Sequence, residues 1–240
     1  MTTTISTSPT SCADVAASAE LRERYARIDQ GIVDACRAAD RTREEVTLIV
    51  VTKFHPAELV RDLVELGVRD VGENRHQDAA PKAAALHDLP LTWHFVGQLQ
   101  SNKARAVAEY ARVIHSVDRE SLVAALARTE RPLEVFLEVN LTDDPGRGGV
   151  EPSQLLPLAE RVLEHPTLDL RGVMAVAPID EDARSAFARL RELSDRVRAL
   201  APTATAISAG MSNDYAEAIA EGATHLRIGT AITGKRPERP

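Results

Sequence analysis

Apolar residues change rhythm along this chain, from helical spacing to short continuous runs and back. From about Asp14 to Ala39, Leu21, Tyr25, Ile28, Ile32 and Cys36 recur on one helix face, which predicts a long amphipathic helix. Eight strand-like runs follow: TLIVVTK (47–53), RDVGEN (69–74), LTWHFVG (91–97), RVIHSVD (112–118), LEVFLEVNL (133–141), LDLRGVMAVAP (168–178), ATAISAG (204–210) and HLRIGT (225–230). Several are nearly continuous in apolar residues, as parallel strands covered on both faces should be.

The stretches between them read as helices. Pro56 suits a first helical turn, Leu59, Val60, Leu63 and Val64 continue it, and Gly67 stops it. Asp118 is expected to cap the helix of Leu122, Ala125 and Leu126. Phe187, Leu190, Leu193, Val197 and Leu200 mark a long helix before Pro202. Ser212 is expected to cap a short helix ending at Gly222. Pro157 should end or kink the helix after Pro152.

Alternating strands and helices predict an α/β fold of the (β/α)₈ TIM-barrel type. An open doubly wound sheet is the rival, weakened because no GxGxxG follows the first strand. The expected organisation is a Ser/Thr-rich, disordered leader over residues 1–18 and a single barrel domain over 19–240, with an extra N-terminal helix. That helix is expected to cover the barrel where an eighth crossover helix is missing. The last strand-like run ends ten residues before Pro240, so no second domain is expected.

Charge narrows the function classes. With 36 acidic against 29 basic residues, the net charge of −7 argues against a general nucleic-acid or anionic-membrane binder. A local anion site stays open, because backbone N–H groups suffice for one. The two cysteines, Cys12 and Cys36, show no pairing or metal spacing, so reduced thiols in a cytoplasmic protein are expected. The seven histidines form no HxH or HExxH group, so no metal site is expected. No apolar run approaches the ~20 residues a membrane span needs, and the N-terminus lacks the pattern of a secretory signal.

In a barrel, chemistry gathers where strands end and loops begin. Lys53 closes the first run. If buried there, its neutral amine would be favoured and could form a Schiff base with a carbonyl; the alternative is a lysine snorkelling at the rim. Gly72, Glu73 and Asn74 close the second run and read equally well as a plain turn. Trp93 and His94 point to opposite faces of the third strand, and a buried, hydrogen-bonded structural histidine is the expectation for His94. SAGMSND (208–214) and RIGTAITG (227–234) each set glycine beside a hydroxyl residue, which suits a phosphate after the seventh and eighth strands. A glycine turn with a serine cap is the alternative for either alone. Asp214 and Glu217 oppose an anion there unless they turn away. Arg227 shares a barrel face with Gly229, and its partner is either a carboxylate or a ligand ring nitrogen.

A Schiff-base lysine, a phosphate site and an interior arginine together fit a phosphorylated aldehyde. Pyridoxal 5′-phosphate is the obvious one.

VTKFHP, VGENRHQD, WHFVGQLQSNK, IHSVD, LRGVMAV, GMSNDYAEAI and RIGTAITG also resemble the pyridoxal-phosphate homeostasis family, over roughly residues 20 to 235. The resemblance implies a single-domain barrel similar to the N-terminal domain of alanine racemase. It implies that Lys53 holds the cofactor, with Asn74 beside it. Ser208, Met211, Ser212, Gly229 and Thr230 fall at or near the phosphate-binding positions, and Arg227 at the arginine facing the pyridine nitrogen. Thr233 stands where an aromatic residue is common, and Phe54 and His55 follow the lysine where relatives vary.

Racemisation, the enzymatic alternative, needs acid–base groups on both faces of a carbanion. Alanine racemase takes one from a tyrosine of its second domain. Here AITGKRPERP (231–240) offers no Tyr, Cys or His, and nothing in the sequence places His94 or Tyr215 for the task. The expectation is therefore a carrier without catalytic residues. It would be a cytoplasmic monomer in vitamin B6 homeostasis that delivers pyridoxal 5′-phosphate to apoenzymes, binding neither nucleic acid nor membrane. A third reading, another phosphate ligand with Lys53 as a mere charge partner, predicts no covalent adduct.

Overall fold

Each of the eight apolar runs forms a strand, and each strand pairs in parallel with its sequence neighbours until the eighth closes on the first. The computed structural model describes residues 17–142, 144 and 146–235. The strands are β1 (Thr47–Val51), β2 (Asp70–Glu73), β3 (Thr92–Phe95), β4 (Val113–Val117), β5 (Leu133–Glu138), β6 (Leu168–Met174), β7 (Ala206–Ser208) and β8 (His225–Ile228). The helices are α1 (Ala19–Ala38), α2 (Ala57–Glu65), α3 (His76–Ala85), α4 (Ala104–Ala108), α5 (Glu120–Leu126), α6 (Leu155–Leu163), α7 (Ala183–Leu200), α8 (Tyr215–Ala220) and α9 (Thr230–Thr233). This is the (β/α)₈ barrel expected from the sequence.

Alternation along each strand sorts side chains into two layers. Val50, Val71, Ile114, Val135, Leu137, Val173, Leu226 and Ile228 join the helices in the large outer core. Val113, Phe136, Met174 and Ala206 form a smaller cluster of their own. In β5 the alternation sets Phe136 opposite to Val135 and Leu137, and therefore in phase with Glu138. Between β5 and β6 the register shifts, and Gly172 absorbs the shift at φ +151; a Cβ there would lie 1.8 Å from the Ala206 carbonyl oxygen.

The outer layer closes with α1. Because α9 has only four residues, it cannot shield the seam beside β8, and α1 packs against both α8 and α9. Gly31 makes this approach possible: a Cβ on it would stand 2.2 Å from the Tyr215 hydroxyl. Arg24 Nε donates to the Ile232 carbonyl at 2.7 Å and ties the two helices together.

Several local expectations change. Pro157 neither ends nor kinks α6, because it is the third residue of that helix, where its missing N–H would have had no intrahelical acceptor. Asp118 does not cap α5; its carboxylate accepts from the Arg119 guanidinium instead. Ser212 does not cap α8, which begins at Tyr215 with Asp214 as the preceding residue. Of the expected leader, residues 1–16 lie outside the described residues. Ala17 is buried and its N–H donates to Glu65, and the Ser18 side chain accepts from Leu21 N–H to cap α1, so both belong to the fold. Cys36 is free and buried, and Cys12 is outside the described residues. No described helix is long and apolar enough to cross a membrane.

Candidate functional site

The C-terminal ends of the strands bring the sequence-predicted residues to one end of the barrel, at different depths. β1 stops at Val51, two residues earlier than the apolar run suggested. The chain then turns, with His55 N–H donating to the Thr52 carbonyl at 3.1 Å. Thr52 takes the buried position and Lys53 emerges exposed. Of the two placements open from the sequence, a buried amine and a lysine at the rim, the structure shows the exposed one. Lys53 Nζ lies 5.9 Å from the centre of the Phe54 ring. Phe54 adopts φ +70, a left-handed conformation that non-glycine residues seldom take and that often marks a functional turn.

A buried ion pair braces this turn from behind. Lys82 of α3 donates to Glu73 Oε1 and, at 2.9 Å, to the Thr52 carbonyl. The Thr52 hydroxyl donates to the same Glu73 oxygen at 2.7 Å. Glu73, read from sequence as equally a turn or a site residue, is thus a support for the backbone that carries Lys53. Asn74 follows it, and its Oδ1 is buried with no hydrogen-bond partner. A Cβ on Gly97 would come within 2.2 Å of the Asn74 carbonyl, so only glycine lets the end of β3 pass that close.

Arg227 lies inside the barrel, 6 % exposed. Among the described residues it forms no ion pair. Its guanidinium donates to Ser208 Oγ at 2.6 Å and to the Ala175 carbonyl at 2.9 Å, both neutral acceptors. Burial lowers its pKa to about 10, against the pull of Glu138 and Asp214, so it stays charged at neutral pH. Ser208 is fully buried between Arg227 and His115. The structure thus moves Ser208 from the expected phosphate rim to the layer beneath it, because β7 ends there and its side chain points inward.

Met211, Ser212 and Thr230 line a cleft of about 820 Å³ with Arg147, Pro178, Ile179 and Asp214. Lys53, Asn74 and Arg227 are not part of its lining. Ser212 and Asn213 take part in no hydrogen bond among the described residues. Ile232 and Thr233 N–H both return to the Gly229 carbonyl, and the two preceding N–H groups, at the start of α9, have no intrahelical acceptor. These are donors for an anion. Met211 is different: its N–H already donates to Asp214 Oδ1, which also turns that carboxylate back on its own loop. Gly229 keeps the backbone close to β1, where a Cβ would meet the Val51 carbonyl at 3.3 Å.

Three residues of the site escaped the sequence reading. Glu138 ends β5 on the same face as Phe136, and its Oε2 is buried without a hydrogen-bond partner. Burial, reinforced by the Asp118 carboxylate, raises its pKa to about 7 despite Arg227 and Arg147. The alternation in LEVFLE could have shown an inward carboxylate at a strand end. His115, within IHSVD, is fully buried. Arg147 sits in a loop with no periodicity to point it anywhere. His94 behaves as expected, buried and bonded to Asp70 and His115. The Tyr215 hydroxyl packs against Gly31 of α1.

The sequence matches the family described as alanine racemase, N-terminal domain, over residues 34–237. It is 44 % identical over 223 residues to the pyridoxal phosphate homeostasis protein of Pseudomonas aeruginosa, covering 90 % of this chain and 96 % of that one. The fold superposes on PipY of Synechococcus elongatus, solved with PLP bound, with a TM-score of 0.78 and 36 % identity, over 89 % of this chain and 100 % of that one. Alanine racemase of Corynebacterium glutamicum shares the fold at a TM-score of 0.66 and 13 % identity, over 90 % of this chain and 61 % of its own.

Proposed function

We propose a function from one premise: the chain belongs to the pyridoxal phosphate homeostasis proteins, within the family of the alanine racemase N-terminal domain. It binds pyridoxal 5′-phosphate at the C-terminal end of the barrel, with Lys53 as the covalent attachment point, and acts in intracellular homeostasis and delivery of that cofactor. Its working unit is a cytoplasmic monomer, a compartment that suits the free thiol of Cys36. Its recipients are apoenzymes that need the cofactor.

The observation that carries this reading is Arg227, a charged guanidinium buried in a cradle of neutral oxygens. A buried charge needs a partner, and a ring nitrogen that accepts a hydrogen bond supplies one. The other residues fit the same group. Asn74 Oδ1 is an orphaned buried acceptor near the lysine turn. Ser212, the first N–H groups of α9, which have no intrahelical acceptor, and Gly229 with Thr230 offer phosphate donors. When bound, the cofactor supplies an aldehyde that condenses reversibly with a primary amine. The protein's part is to position. The Glu73–Lys82 pair fixes the turn carrying Lys53, and Arg227, by keeping its charge, disfavours protonation of the ring nitrogen.

The positions of two potential bases support a carrier with negligible turnover. His94 is enclosed in the barrel by Asp70 and His115, and Tyr215 is committed to the α1 contact. A second reading, weak acid–base turnover of amino acids, has one feature in its favour: the buried Glu138 carboxyl, whose pKa is raised to about 7. Borohydride reduction of the protein incubated with pyridoxal 5′-phosphate, followed by peptide mass mapping, tests the attachment. A single adduct on Lys53, lost in Lys53→Ala, is expected; adducts scattered over surface lysines would refute it. Exchange of amino-acid α-hydrogen in deuterated buffer separates the two readings, with none expected for the carrier.

A further inference from the structure

Beneath Arg227 the barrel interior holds a continuous line of polar side chains from four other strands. Arg227 donates to Ser208 Oγ at 2.6 Å, and Ser208 Oγ lies 2.9 Å from His115 Nδ1. His115 Nε2 lies 2.9 Å from His94 Nδ1, and His94 Nε2 lies 3.0 Å from Asp70 Oδ1. Ser208 and His115 are fully buried and His94 is 3 % exposed, whereas Asp70 is 29 % exposed at the start of β2. The line therefore runs from the cofactor end of the barrel to its opposite mouth.

Its two ends fix its direction. A guanidinium can only donate and a carboxylate can only accept, while a hydroxyl and a neutral imidazole do both. With neutral imidazoles one arrangement satisfies every link. Arg227 donates to Ser208, Ser208 O–H to His115 Nδ1, His115 Nε2–H to His94 Nδ1, and His94 Nε2–H to Asp70. The reverse needs a proton on Asp70 or a second one on His94, and it would leave the Ser208 hydroxyl proton without an acceptor among the contacts found here. Burial beside His94, Arg227 and His225 pushes the His115 pKa well down, which keeps that ring neutral. Phe136 stacks on it at 4.5 Å with the planes 8° apart and holds its orientation.

We infer that Ser208, His115, His94 and Asp70 form a one-directional hydrogen-bond chain that positions the Arg227 guanidinium against the cofactor ring nitrogen. The inference rests on the proposed cofactor site. These four are positioning residues, since each acts on the ligand through Arg227. Bonds in such a line polarise one another, so Ser208 is a stronger acceptor for Arg227 than an isolated hydroxyl would be.

Nitrogen-15 NMR of the cofactor-free protein reads the direction without any ligand. His115 is expected with protonated Nε2 and unprotonated Nδ1, and the neutral His94 ring as the same tautomer. A protonated Nδ1 on either ring overturns the chain. In the loaded protein, the pH midpoint of the cofactor's visible absorption should move in Ser208→Ala and in His115→Phe. The shift should correspond to roughly a three- to tenfold change in proton affinity, the weight of about one hydrogen bond. The double variant should move it no further than the larger single change, whereas independent contacts would add. Asp70→Asn keeps an acceptor for His94 and should resemble wild type, while Asp70→Leu should follow His115→Phe. Additive shifts, or no shift, refute the chain's role. If wild type takes no adduct on Lys53, the cofactor reading falls and this role with it; the NMR measurement still decides the direction on its own.

Discussion

Glu138 offers the most quantitative test of the site's electrostatics. Its carboxyl ionises near 4.5 in an ordinary setting and near 7 here, because burial and the Asp118 carboxylate both disfavour its charge. Between those two values the folded protein binds a proton that the unfolded chain has already lost. Stability therefore falls as pH rises through that window, and the full loss is felt above pH 7. Each tenfold change in proton affinity is worth about 1.4 kcal/mol, so the loss reaches about 3 kcal/mol at pH 8 and stays under about 1 kcal/mol at pH 5. Glu138→Gln removes the titration while keeping the shape. In urea unfolding of the cofactor-free protein, the variant should gain about 2–3 kcal/mol over wild type on going from pH 5 to pH 8. Comparing the two pH values cancels any pH-independent effect of the amide. An equal difference at both pH values, or a variant that loses ground at pH 8, would show that Glu138 carries no raised proton affinity. A group kept at such a cost is more readily explained by function than by stability.

Three further outcomes follow from the packing. Lys82→Met leaves the buried Glu73 carboxylate without its ion-pair partner and with only the Thr52 hydroxyl on it, so unfolding free energy should drop by about 3–5 kcal/mol, and Glu73→Gln in the same chain should recover much of it; urea titration of both variants checks this. Gly31→Ala drives a Cβ to within 2.2 Å of the Tyr215 hydroxyl and should cost about 1–3 kcal/mol. Adding Tyr215→Phe removes the oxygen and leaves the ring Cζ at 3.3 Å, so it should recover much of the loss; thermal melts of the single and double variants read the recovery. Gly172→Ala meets the Ala206 backbone at 1.8 Å inside the sheet, and no side-chain movement relieves that, so it should yield little folded protein by circular dichroism.

Much of this molecule was written locally. Nearly continuous apolar runs such as TLIVV and LEVFLE, helical spacing in α1 and α7, and Gly67 and Gly222 after helices fix the elements, because each signal acts within a few residues. The alternation also placed His94 and Arg227 inside the barrel, and the order of strands put Lys53, Asn74 and Thr230 at one end of it. Strand ends were read too long, since an apolar residue beyond the last ladder bond looks the same in sequence as one within it. That is why the sequence left Lys53 open between a buried amine and a lysine at the rim, and the structure exposes it. What only the tertiary structure decided is which side chains meet. Ser208 looked like a phosphate donor until closure of the barrel set it against Arg227 from β8 and His115 from β4. Glu138 acquired its raised proton affinity from burial and from Asp118, against the pull of Arg227 and Arg147, and all of these depend on groups remote from one another in the chain. Lys82 and Glu73 became a brace for the lysine turn only through α3 docking behind β1 and β2. Local propensity reads bonds made along the chain, whereas hydrogen-bond partners, desolvation and charge coupling depend on distances that exist only after the sheet has closed.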